Sequence, residues 1–130
     1  MPNELELLGW AVVLGFVYVF VAIGFATRQR GLKWNMSNRD NSAEPLGPMA
    51  SRAQRASRNF LETFAFFVAA TLAVVVAHRT DSQTLLGAYI YLGARIVYLP
   101  VYIIGIPYLR TLVYAASVWG ILQILEPLLH

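Results

Sequence analysis

Hydrophobic positions fall into four blocks along the chain: LLGWAVVLGFVYVFVAIGFAT (7–27), FLETFAFFVAATLAVVVA (60–77), TLLGAYIYLGARIVYLPVYIIG (84–105) and PYLRTLVYAASVWGILQIL (107–125). Each is close to the ~20 residues with which an α-helix crosses a ~30 Å hydrocarbon layer. The pattern predicts an all-α fold, an integral membrane four-helix bundle in one unit over residues 1–130, because a closed β-barrel calls for shorter, alternating segments. Residues 28–51 make the one long connection, rich in Asn, Ser, Gly and Pro, while the link HRTDSQ at 78–83 is short. A short link makes the second and third helices antiparallel neighbours.

Two of the blocks carry polar positions at helical spacing. In RAQRASRNFLETFAFF (52–67), Arg55, Asn59 and Glu62 fall within an arc of roughly 60° on one face, flanked by Arg52 and Arg58. That face continues as Phe66, Ala69, Ala70 and Ala73, the small-residue pattern of a helix pressed on other helices, so the stripe is expected to face protein. In the third block Tyr91, Arg95, Tyr98 and Tyr102 share a similar arc. An arginine near the bilayer centre costs about 2.5–3.5 kcal/mol, so Arg95 calls for a partner. Equal depth in an antiparallel pair joined at 78–83 puts Arg95 level with Phe66 and Asn59 level with Tyr102, positions whose numbers sum to about 161. Glu62 then lies one turn away, and a snorkelling Arg95 is expected to form an ion pair with it or to share a polar ligand. Pro100 withholds an N–H from the helix ladder and predicts a kink between Tyr98 and Tyr102. The fourth block opens at Pro107, which places Arg110 in a first helical turn with Tyr114 and Ser117 on the same side. A helix N-terminus with an arginine beside it is an anion site.

Composition sharpens this picture. The chain is 58% hydrophobic and 13% charged with mean hydropathy +0.56, against about 25% charged in soluble domains. The leader MPNELE is acidic, so the first block reads as a span and not as a signal peptide. Arg28, Arg30, Lys33, Arg39, Arg52, Arg55 and Arg58 crowd the first connection and the start of the second helix. The positive-inside rule therefore predicts a cytoplasmic 28–51 loop and non-cytoplasmic termini in a multi-pass protein; the short connections and lack of targeting signals suit a bacterial inner membrane, and an endoplasmic-reticulum protein reads the same way. The same charges suit membrane lipid headgroups, and no nucleic-acid partner is expected. There is no cysteine, so thiol chemistry has to use a thiol that a ligand brings. His78 and His130 lack a second ligand at metal spacing, and no metal site is expected. Trp10, Trp34 and Trp119 read as interface anchors or packing, and the Asn35-Met36-Ser37 sequon as chance in a cytoplasmic loop.

The run RASRNFLE in the second block, ARIVYLPVY in the third and a basic residue at the opening of the fourth resemble the MAPEG family, membrane-associated proteins in eicosanoid and glutathione metabolism. The resemblance spans all four blocks. It implies a homotrimer of four-helix subunits that takes glutathione as co-substrate near the cytoplasmic side, between neighbouring subunits. Arg55, Asn59, Glu62, Arg95, Tyr98 and Tyr102 would line the glutathione site, Arg110 would activate the thiol, and Arg28 or Arg30 would add a further contact. The implied chemistry is attack of a glutathione thiolate on a lipophilic electrophile or hydroperoxide, as in a transferase or peroxidase. The chain departs from the family in carrying Ala65 where many members have proline, Thr63 where some have an aromatic, and a Tyr102 to Arg110 spacing one residue from that of some members. Two other classes stay open on the residues alone: a non-catalytic glutathione- or lipid-binding scaffold, and a small channel or transporter. The third is disfavoured by the scarcity of polar groups in AATLAVVVA and TLLGAYIYLG.

Overall fold

The protein is described by a computed structural model covering residues 2–30 and 47–129, with Arg30 as backbone only. Most of the long connection, with Lys33, Trp34, Asn35 and Arg39, lies outside the described residues, as does His130. Four helices follow one another: α1 (Asn3–Arg30), α2 (Pro48–Val76), α3 (Ser82–Ile104) and α4 (Pro107–Leu125), the last continuing into a 3-10 turn at Glu126–Leu129. All four are long and apolar enough to cross a membrane. α2 begins twelve residues ahead of the apolar block at 60, so the whole stripe from Arg52 to Glu62 is helical.

Local chemistry sets the helix ends. Pro48 and Pro107 occupy first-turn positions, where a missing N–H costs nothing. Asp81 caps α3 in a reciprocal box with Thr84: the Thr84 N–H donates to the Asp81 carboxylate at 2.9 Å, and the Asp81 N–H donates to the Thr84 hydroxyl at 2.8 Å. α2 closes in a Schellman turn, Arg79 N–H to the Val74 carbonyl and His78 N–H to that of Val75, with His78 in the left-handed region at φ 58°.

The helices pair as two hairpins. α3 packs most extensively on α4 and α1 on α2, and the hairpins meet through α2–α3, α1–α3 and α2–α4 contacts. Along α2 the inward seam is Ala53, Ala56, Phe60, Thr63, Phe67, Ala70 and Val74, a repeat of three and four residues. α1 answers with buried Leu7, Ala11 and Tyr18. The α3–α4 crossing is close enough that a Cβ on Gly87 would sit 2.5 Å from the Gly120 carbonyl oxygen, so only glycine fits there. Large apolar side chains such as Phe20 and Leu112 point outward, the arrangement of a bundle whose solvent is lipid.

At the end where α1 starts, polar contacts fasten the bundle. The Arg79 guanidinium donates to the Pro127 carbonyl at 3.0 Å, Gln83 donates to the Glu126 carboxylate, and the buried Glu4 carboxylate meets the Thr84 hydroxyl at 3.4 Å. The opposite end, where α2 and α4 start, carries Arg28, Arg52, Arg55, Arg58 and Arg110.

Candidate functional site

The site grows from Arg95, which α3 carries into the middle of the bundle at 0% exposure. Its Nη2 donates to Asn59 Oδ1 at 2.7 Å and to Thr63 Oγ1 at 2.9 Å, both on α2. The other guanidinium nitrogens, Nε and Nη1, have no hydrogen-bond acceptor among the described residues. Aromatic faces surround them instead, with Cζ 4.5 Å from the Tyr98 ring centre, 5.6 Å from Phe60 and 6.0 Å from Tyr114. Ring quadrupoles partly neutralise a desolvated cation. The backbone at Arg95 is pinned as well, since the buried Tyr18 hydroxyl of α1 donates to its carbonyl at 2.5 Å while the Tyr18 ring stacks on Phe60 at 4.6 Å.

From Arg95 the polar row runs to the basic end. The Tyr98 and Tyr102 rings lie 5.4 Å apart. Two guanidiniums flank Tyr102: Arg110 of α4 with Cζ at 5.0 Å from the ring centre and Arg55 of α2 at 5.9 Å. Arg110 stands in the first turn of α4, whose N-cap, Ile106, offers no side-chain cap to the free amides. The turn ahead of it is held from α2: Arg52 Nη1 donates to the carbonyls of Ile103 and Ile104 at 3.3 and 3.4 Å, at the end of α3. Gly105 completes that turn at φ 88°, and a Cβ there would meet the Arg52 guanidinium at 2.8 Å.

The expected Arg95–Glu62 ion pair is not formed. Glu62 is exposed on the single chain, and Arg95 bonds Asn59 and Thr63 in its place. The reason is rotational: the stripe of Arg55, Glu62, Phe66, Ala69 and Ala73 lies roughly 110° round α2 from the seam on which α3 packs. Asn59 stands at the edge between the two faces and reaches inward. The rest of the stripe is turned off the seam that α3 covers, with Glu62 and Phe66 at the edge of the groove between α2 and α4 and Phe66 69% exposed on the single chain. The expected depth register is also displaced, by about one turn, since the Tyr91 ring stacks on Phe67 at 4.2 Å.

Glu62 opens instead onto a cavity of about 350 Å³ between α2 and α4, lined by Thr63, Phe66, Tyr114, Val118 and Leu122 among others. Glu62 is the one charged residue among the described lining, and Arg95 lies just beneath, behind Thr63 and Tyr114. Arg28 stands apart from this cluster. It lines a separate hollow of about 440 Å³ at the foot of α2 with Gln29, Pro48 and Met49, and the Arg30 side chain lies outside the described residues.

The structure thus brings together Arg55, Asn59, Arg95, Tyr98, Tyr102 and Arg110, and sets Glu62 on the adjoining face. Sequence reasoning missed Tyr18, Thr63 and Arg52 as parts of the site. Thr63 had a signal: a hydroxyl four residues from Asn59, inside an apolar run, is on the neighbouring helical face. Tyr18, in a span otherwise free of polar side chains at mid-depth, had a weaker one.

The MAPEG family model matches the chain over residues 7–125. No curated protein and no solved structure matches it.

Proposed function

We propose that this chain, which belongs to the MAPEG family, is a glutathione-dependent membrane transferase or peroxidase. The observation that carries the reading is the pair of guanidiniums, Arg55 and Arg110, on the Tyr102 ring, continuous through Tyr98 with the buried Arg95 and next to the cavity that Glu62 lines. Glutathione carries two carboxylates, an ammonium and a thiol. Arginines suit the carboxylates, Glu62 suits the ammonium, and Asn59, Tyr98 and Tyr102 supply further polar contacts. Arg28 or Arg30 adds a contact from the end of α1. Arg95, buried in the single chain, acts from beneath by orienting Asn59 and Thr63.

Arg110 is the catalytic residue in this reading. A free thiol with pKa near ~8.5 is only a few per cent ionised at neutral pH, and lowering it by two units takes ~2.7 kcal/mol of preferential thiolate stabilisation. A guanidinium in the first turn of α4, beside uncapped amides at the positive end of the helix dipole, is suited to supply that. With an electrophile, the thiolate sulfur forms a C–S bond as the leaving group departs with its electron pair. With a hydroperoxide, sulfur takes the terminal oxygen, the O–O bond breaks and an alcohol leaves. A second glutathione then converts the sulfenic product to disulfide and water. The protein's share is orientation of the two reactants.

The proposal includes a homotrimer with glutathione seated between neighbouring subunits. Its support is the outward stripe of Glu62, Phe66, Ala69 and Ala73, a carboxylate followed by a small-residue face that the lone chain leaves uncovered. It also includes a bacterial inner membrane, which the short connections suit, with the arginine-rich end cytoplasmic by the positive-inside rule. The test is titration of detergent-purified protein with glutathione, following thiolate absorbance in the ultraviolet. A saturable signal lost in Arg110→Ala, with glutathione still bound, is the expected result. Binding without any thiolate signal would leave a glutathione-binding scaffold, and no binding would remove the reading.

A further inference from the structure

We infer that Thr63 is a positioning residue that keeps Arg95 off Glu62 and so leaves the Glu62 carboxylate available to a cationic group of the ligand. The Thr63 hydroxyl is fully used. Its one hydrogen has two acceptors on its own helix, the carbonyls of Phe60 at 3.1 Å and Asn59 at 3.5 Å. It accepts from Arg95 Nη2 at 2.9 Å and shares a hydrogen bond with the Tyr91 hydroxyl at 3.2 Å. The residue is 5% exposed and Arg95 and Tyr91 are both 0% exposed, so neither has water as a substitute partner.

Among the described residues Arg95 has two side-chain acceptors, Asn59 and Thr63, and both sit on the inner side or edge of α2. Remove one and half of its hydrogen bonding goes, while Nε and Nη1 already lack acceptors. The nearest carboxylate along α2 is Glu62, one residue before Thr63. A guanidinium in a low-dielectric interior is drawn strongly to such a group, and its long stem lets the head swing outward. With Thr63 in place the cation is held inward. The acid on the α2–α4 cavity stays unneutralised, which is what an incoming ammonium requires.

The geometry is independent of the ligand's identity; only the assignment of the cation as glutathione's ammonium rests on the proposed function. Dicyclohexylcarbodiimide, a lipophilic reagent that adds to protonated carboxyls, reports on Glu62 without any ligand, with the adduct located by mass spectrometry of the digested protein. Wild type and Thr63→Ser label Glu62 at matching rates, and Thr63→Val labels about tenfold more slowly, the loss expected when a charged hydrogen-bond donor changes partner. Thr63→Ala, which removes the same hydroxyl with less bulk, gives the same ordering. Adding Arg95→Met to Thr63→Val restores the rate, which a folding defect would not do. Labelling of Thr63→Val at the wild-type rate, or failure of Arg95→Met to restore it, overturns the inference. In the binding arm, Thr63→Val weakens glutathione about tenfold and Glu62→Gln adds little to that loss, because the two act through one carboxylate. A wild type that binds no glutathione would refute the functional reading, and the labelling arm would still decide the role of Thr63.

Discussion

Replacing Gly120 by alanine puts a methyl group where α3 and α4 touch backbone to backbone. The added Cβ would lie 2.6 Å from the Gly87 carbonyl oxygen and 2.9 Å from the Tyr91 nitrogen. Both are main-chain atoms of a helix interior and have no rotamer to escape into. Ordinary contact starts near 3.4 Å, so the helices must part by about 0.8 Å, a separation that forfeits a quarter to a half of each dispersion contact it opens. The α3–α4 interface is the most extensive in the bundle. Overpacking typically costs about 1–3 kcal/mol, and the rigidity on both sides argues for about 3 kcal/mol here. Unfolding of detergent-solubilised protein, followed by tryptophan fluorescence, measures it. Gly87→Ala meets the same crossing from the other side, at 2.5 Å from the Gly120 oxygen. Once one methyl has forced the helices apart, the second meets a widened gap, so the double variant should fall short of the summed losses by about 1–2 kcal/mol. A Gly120→Ala protein as stable as wild type, or strictly additive losses, would refute the argument that one backbone contact fixes this helix pair.

Three further outcomes follow from single contacts. Tyr18→Phe keeps the stack on Phe60 but removes the bond to the Arg95 carbonyl, and is expected to cost about 1 kcal/mol in the same unfolding assay; no loss would mean that the hydroxyl is not what pins α3. Gly105→Ala forces a side chain into the left-handed region at about 1–2 kcal/mol and against the Arg52 guanidinium. By shifting the turn that presents Arg110, it should lower the glutathione thiolate signal more than glutathione binding, and Arg52→Met should repeat that split; equal loss of both would show that the turn only supports the fold. His78→Gly relieves a left-handed non-glycine residue at the end of α2 and should raise stability by about 1 kcal/mol. A lower melting temperature would instead give the imidazole a structural role.

Hydrophobic block length and proline position made the four helices legible, and helical spacing gathered Arg55 with Asn59 and Tyr98 with Tyr102. The direct Arg95–Glu62 ion pair, one of the two arrangements expected, is absent for a definite reason. Spacing says which residues share a face, but not which face a neighbour covers, and α2 has two faces that carry polar groups. Small residues on the stripe, Ala69 and Ala73, argued for the outer one, while the buried seam through Phe60, Thr63 and Phe67 won because its larger side chains fill the space against Tyr18 and Tyr91. Arg52 was hidden for another reason. Its role as a cap on the last carbonyls of α3 depends on how far α2 rises past the α3–α4 turn, a distance set by packing and not by local sequence.

The separation of Arg95 from Glu62 bears on function more than either residue does alone. A bundle selected only for its own stability would bring a buried guanidinium and a neighbouring carboxylate together, since an unpaired charge in an apolar interior is costly. Here the guanidinium is held on neutral acceptors and aromatic rings while the carboxylate opens onto a cavity. Among the described residues neither group has a counter-ion of opposite charge. Such an arrangement is stable in a membrane when something else completes it, and a zwitterionic tripeptide lying along the row from Glu62 to Arg110 has the charges to do so. Double replacement by Arg95→Met and Glu62→Gln should therefore stabilise the unliganded protein while abolishing its affinity for glutathione.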